Sequence, residues 1–180
     1  MAIVTLAEAK TQVGIAPTDT SKDAVLMNYV DAIASTVENY KLEIVEAREF
    51  TEERVLNGGS FVLANSPVLS LISVETVDGT TVWDVNNLHV SRAGVVRVMS
   101  GASVSGTVAV TYRAGYETVP ENYKRGALVI LQHVWETQRG VGQVGTGVIG
   151  QEEGTYGQLS TYSLPRKALE WLGVPNPVVM

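Results

Sequence analysis

Apolar residues recur at helical spacing in three stretches of the chain and change to strand spacing in the stretch between them. Leu6, Ala9 and Val13 share one helical face, Thr5 and Glu8 have the spacing of a capping box, and Gly14 and Pro17 supply a stop. This predicts a first helix over residues 5–14. Leu26, Tyr29, Val30, Ile33, Val37, Tyr40 and Ile44 then recur at three- and four-residue steps behind the candidate N-caps Thr20, Ser21 and Asp23, which predicts a long second helix over 21–46. Pro120 suits a first helical turn, where its missing N–H has no partner in any case. Tyr123, Ala127, Ile130, Leu131 and Val134 give a third helix over 120–138 its apolar stripe.

Between the second and third helices, from about residue 50 to 114, Val, Thr and Phe are enriched and Gly, Asn and Pro punctuate the runs. Strands are expected at Ser60–Leu63, Leu71–Val77, Thr81–Trp83, Leu88–Ser91, Val95–Met99 and Thr107–Arg113. Asp78-Gly79 and Ala93-Gly94 stand where hairpin turns belong. The expected fold class is α+β: a mainly helical bundle of three to four helices, with a small inserted antiparallel sheet and an extended C-terminal segment. The expected division is a core over 1–139, a glycine-rich loop over 140–157 and a terminal helix and tail over 158–180.

Composition narrows the function. The chain has 180 residues, 45% of them hydrophobic and 18% charged, which is enough to build one domain with a real core. It has no cysteine, so disulfides, cysteine zinc sites and thiol nucleophiles are excluded. The N-terminus MAIVTLAEAK lacks the pattern of a secretory signal, and no apolar stretch approaches the roughly 20 residues that span a bilayer. A soluble, cytosolic protein with no membrane partner is expected. The net charge of −6 disfavours tight nucleic-acid binding, while DNA could still pass an acidic wall.

Candidate chemistry is sparse. Gly140, Gly142 and Gly145 fit G-x-G-x-x-G, and Gly145, Gly147 and Gly150 fit it again. The run follows a helix, and no helix opens behind it to hold a pyrophosphate, so a flexible interface loop is the better reading. His89 and His133 lack ligands at metal-site spacing. Glu38, Glu43, Glu46, Glu49, Glu52 and Glu53 interleave with Lys41, Arg48 and Arg54, as a solvated, partly ion-paired face would. No catalytic, cofactor or metal site is expected. The terminal helix is the exception in character: Tyr162, Leu164, Leu169, Trp171 and Leu172 are apolar or aromatic, and Arg166 and Lys167 are basic. Such a segment either folds back on its own domain or docks on a partner.

Taken in order, the short capped helix VTLAEAK, the helix from Asp23 through Ala34, the strand ending Tyr112-Arg113-Ala114-Gly115-Tyr116, and the Val119-Pro120 pair opening TVPENYKRGALVILQHVWETQRG carry a resemblance. Over most of residues 3–140 the chain resembles the head-to-tail connector, or adaptor, proteins of long-tailed double-stranded DNA phages. The resemblance implies a non-enzymatic virion protein, assembled in the host cytoplasm as a ring of twelve copies beneath the portal vertex. Its implied partners are the portal protein, the next neck or tail protein and further copies of itself, with DNA passing through the channel without specific binding. The glycine-rich loop and terminal helix look like the segment that reaches a neighbouring ring. Two alternatives stand beside it: another neck component such as a stopper, and, from a different class, a small nucleotide-dependent enzyme using the glycine-rich loop. A small-ligand module built in the sheet lacks a convergent polar set.

Overall fold

The chain is seen in a computed structural model that describes residues 2–138 and 164–175. Its elements run α1 (Leu6–Gln12), α2 (Asp23–Lys41), β1 (Arg48–Asn57), β2 (Ser60–Val62), β3 (Val68–Thr76), β4 (Val82–Trp83), β5 (Leu88–Val90), β6 (Val95–Val98), β7 (Ser105–Ala114), α3 (Glu121–Gln138) and α4 (Arg166–Leu172). The fold is α+β, as expected, although the strands are nearly as extensive as the helices. Two compact units are distinguished. One is helical and holds α1, α2 to Ser35, α3 and α4. The other holds all seven strands, the end of α2 from Thr36, and the N-terminal residues to Ile3.

In the helical unit the capping box forms as its spacing requires: Glu8 N–H donates to the Thr5 hydroxyl at 3.3 Å, and Thr5 N–H donates to the Glu8 carboxylate at 2.8 Å. Leu26, Val30, Ile33 and Ala34 of α2 and Tyr123, Ala127, Ile130 and Leu131 of α3 are buried, the positions marked by the 3.6-residue period. Trp135 is also buried and meets the Tyr29 ring edge-on, with centroids 6.0 Å apart. Lys10, which the helical pattern gives no reason to bury, is only 5% exposed. Its ammonium pairs with Asp23 at 2.6 Å, so the charge goes inside with a partner.

Helix α2 ends earlier than the apolar spacing suggests, at Lys41 instead of residue 46. Leu42 adopts φ 57°, which leaves the right-handed helix, and Ile44 N–H turns to the Ser66 carbonyl at 2.8 Å. Ile44 fits the helical period after Tyr40 but serves the sheet unit's core.

That unit contains two sheets, not one. The four-stranded sheet has the order β1-β7-β3-β4 and the three-stranded sheet the order β2-β6-β5, with every strand pair antiparallel. The hairpins at Asp78-Gly79 and Ala93-Gly94 form where expected, with both glycines at positive φ. Strand β1 was not expected. It pairs with β7 along ten consecutive residues, from Arg48 opposite Ala114 to Asn57 opposite Ser105. Strand alternation divides the faces. Val108, Val110, Tyr112 and Ala114 of β7 point inward and share one core with Phe61, Leu88 and Val96 of the other sheet. Thr51, Glu53, Val55, Thr107 and Arg113 lie on the solvent side of the four-stranded sheet.

Candidate partner-binding surface

The terminal helix α4 is seven residues long and begins behind Pro165. Its apolar side meets α3 within the helical unit: Leu172 is 1% exposed, Ala168 is fully buried, and both lie against Gly126 of α3. A Cβ at Gly126 would come within 2.7 Å of two Leu172 side-chain carbons, so any side chain there would force Leu172 to shift. Asn122 Nδ2 donates to the Trp171 carbonyl at 3.2 Å, and Gly173 N–H donates back to Leu169 at 2.9 Å, closing the helix at φ 70°.

The residues singled out from sequence therefore separate. Leu172 belongs to the chain's own core, and Leu164 and Leu169 are half-buried. Arg166, Lys167 and Trp171 are exposed, the last by 46%, and Val174 beyond the helix is more exposed still. Arg166 reaches Glu170 only at 4.0 Å on an open surface, a pair of little energetic weight. An aromatic ring beside two cations on a rigidly seated helix is a compact docking feature. Tyr162 and the glycines Gly140, Gly142, Gly145, Gly147 and Gly150 lie outside the described residues.

The acidic stretch after α2 works mainly as internal structure. Glu38 accepts two hydrogen bonds from the Arg48 guanidinium and one each from the backbone N–H groups of Val45 and Glu46. Burial pushes its carboxyl up, and these four donors outweigh that and hold it below the usual carboxylate range. Glu46 accepts from Ile3 N–H at 2.8 Å, and Tyr116 OH donates to the buried Glu43 at 3.2 Å. A cleft of about 250 Å³ opens beside this network, lined by Glu38, Leu42, Arg48 and Asn65 among others. Of its two carboxylates, Glu38 is committed to four donors and Glu43 accepts from the Tyr116 hydroxyl, which suits shape support better than proton transfer. Among the described residues no group of three or more His, Asp or Glu could hold a metal, and no helix is long and apolar enough to cross a membrane.

The family described as head completion protein matches residues 2–166. The chain belongs to that family. Its fold is similar to chains in three solved particle structures. In the neck of an empty gene transfer agent particle with C6 symmetry, the TM-score is 0.64 at 16% identity, covering 98% of this chain and 92% of that one. In the virion of a native gene transfer agent particle it is 0.61 at 15% identity, covering 98% and 92%. In the neck of the native particle with C12 symmetry it is 0.58 at 13% identity, covering 97% and 90%. No curated protein matches the sequence.

The motif that carried the resemblance has an architectural role in the fold. Tyr112 is fully buried, and its hydroxyl accepts from the N–H and Nδ2 of Asn65 at 3.2 and 2.9 Å. Gly115 takes φ 118°, and a Cβ there would lie 2.7 Å from the Ala47 backbone. Tyr116 then bridges Glu46 in parallel, and Val119 is buried. Tyr-Arg-Ala-Gly-Tyr is the point where β7 closes against the chain entering β1.

Proposed function

We propose that the chain forms a cyclic ring, of twelve copies, between the portal vertex and the next neck or tail protein, leaving a channel through which DNA passes without specific binding. The match of the head completion family over residues 2–166 carries this reading. The like-folded chains in particle necks with C6 and C12 symmetry support a closed ring of identical subunits. The role is structural and not catalytic, and assembly takes place in the host cytoplasm. Nothing among the described residues favours a nucleotide site. The division into a core over 1–139, a connecting loop over 140–157 and a docking segment over 158–180 belongs to the same proposal, with Arg166, Lys167 and Trp171 as the portal-facing contacts.

The test is co-purification with the portal protein, read by multi-angle light scattering. Deleting the terminal segment would uncover the α3 surface at Gly126, so point changes at exposed positions are cleaner. Trp171→Ala combined with Arg166→Glu should keep the fold and weaken portal association by at least about tenfold, since exposed aromatic and Arg anchors dominate interfaces. Undiminished association would place the portal contact elsewhere.

A further inference from the structure

The 19 acidic residues are unevenly placed: none lies between Val85 and Tyr116, where Arg92, Arg97, Arg113 and His89 stand. Strand pairing converts this asymmetry into faces. In the three-stranded sheet, Ser60 lies opposite Arg97 and Arg97 opposite His89, so the three form one row across the sheet. All three are exposed, on the face opposite the buried Phe61, Val96 and Leu88. Val62 and Met99, 42% and 70% exposed, flank the row with apolar surface. The sheet carries no carboxylate.

On the far side of the shared core, the outer face of the four-stranded sheet carries Glu49, Glu53 and Glu75 with Arg113 opposite Glu49, so acidic groups outnumber the cation there. Glu53 and Glu75 both lie opposite Ala109, one on each side of it. Adjacent strands are about 4.8 Å apart, so these two carboxylate-bearing positions stand roughly 10 Å apart with only a methyl group between them. This forms a trough open to a long cationic side chain. Val82, opposite Glu75 in register, and Val55 are 65% and 75% exposed beside it. Each copy thus presents a cationic face and an acidic face on the two outer sides of one two-sheet core, each bordered by exposed valine or methionine.

A cyclic ring requires this kind of asymmetry, because a head-to-tail interface joins two different patches of the same molecule. We infer that the β2-β6-β5 face of one subunit docks on the β1-β7-β3-β4 face of the next, with Arg97 reaching over Ala109 between the neighbour's Glu53 and Glu75. The inference rests on the ring reading above and specifies its subunit contact. A polyanion such as DNA is the competing occupant of the cationic face. The matching trough on the same chain, with apolar surface on both sides, favours a second copy.

The test uses the full-length chain in particles produced by complementation, with copies per particle counted by quantitative mass spectrometry. The variants are Arg97→Glu, the pair Glu53→Arg with Glu75→Arg, and all three changes together. Arg97→Gln serves as a milder variant, and thermal melts of each purified chain check folding. Each one-sided reversal should lower incorporation at least about tenfold, and the combined swap should return it to within about threefold of wild type. Multi-copy incorporation of wild type with no loss in Arg97→Glu or Arg97→Gln would overturn the interface while leaving the neck role in place. Wild type present as one copy or none would overturn the ring reading and the inference with it. Loss in the one-sided variants without rescue by the swap, accompanied by leakage of packaged DNA, would overturn it in favour of a polyanion contact.

Discussion

Arg48 reaches back to the Glu38 carboxylate with two hydrogen bonds of 2.8 Å each, a bidentate pair that joins the end of α2 to the first residue of β1. Planar guanidinium and carboxylate groups match in this geometry, and the two backbone donors from Val45 and Glu46 fix the turn between them. Arg48 also lies over the Phe50 ring, 5.2 Å from its centroid.

The depressed Glu38 carboxyl makes this junction acid-sensitive. A folded-state pKa below the unfolded one adds stability that is fully present above the unfolded value, ordinarily 4.5, and is lost as pH falls through the folded value. Glu38→Gln should therefore cost about 2 kcal/mol at neutral pH. Its difference from wild type should shrink as the pH is lowered toward about 3. Urea melts at the two pH values measure this, and an equal deficit at both would exclude the carboxylate as the source.

Gly126 is where α4 meets α3. Gly126→Ala gains helix propensity of up to about 1 kcal/mol but places a methyl group inside the Leu172 side chain. The clash should dominate, leaving a net loss of about 1–2 kcal/mol. Faster trypsin cleavage at Arg166 and Lys167 would report the loosened helix. Unchanged cleavage would mean that Leu172 repacks at no cost.

Tyr112→Phe keeps the ring in the core, stacked at 5.9 Å on Phe50, but removes the acceptor for two Asn65 donors. A loss of about 1–3 kcal/mol is expected in denaturant unfolding, because the Asn65 groups are part-buried and lose their partner. A neutral result would show that water replaces the hydroxyl.

Leu42 sits at φ 57° with half its surface exposed, so the side chain gains little from burial while its backbone is held in a region that favours glycine. Leu42→Gly should raise stability by about 0.5–1 kcal/mol, and a thermal melt reads the gain directly. A lowered melting temperature would indicate that Leu42 packs into the adjoining cleft more than its exposure suggests.

How much of this was legible from sequence depended on how local the signal was. The capping box at Thr5 and Glu8, the stripe of α3 behind Pro120 and the Asp78-Gly79 turn each lie within a few residues, and each forms as its pattern implies. Strand β1 was hidden because half its residues are charged: Arg48, Glu49, Glu52, Glu53 and Arg54 obscure the alternation of Phe50 and Leu56 toward the core. The division into two sheets was hidden for a different reason, since the placing of β7 between β1 and β3 leaves no local mark. The end of α2 was overrun because Ile44 satisfies two periods at once. In the terminal helix the apolar pattern pointed to something to cover it without saying what, and Gly126 supplies that cover for Leu172 while leaving Trp171 outside. The cationic and acidic faces needed the strand register before Arg97 and His89, or Glu53 and Glu75, could be recognised as neighbours.

The central place of β7 also sets an order of events during synthesis. Strands β1 and β3 emerge from the ribosome well before residues 105–114, the only segment that pairs with β1 in the described chain and the main partner of β3. Until then a ten-residue strand waits without its mate, exposed to other nascent chains. The charges that hid β1 from the sequence reading act in that interval as gatekeepers against aggregation.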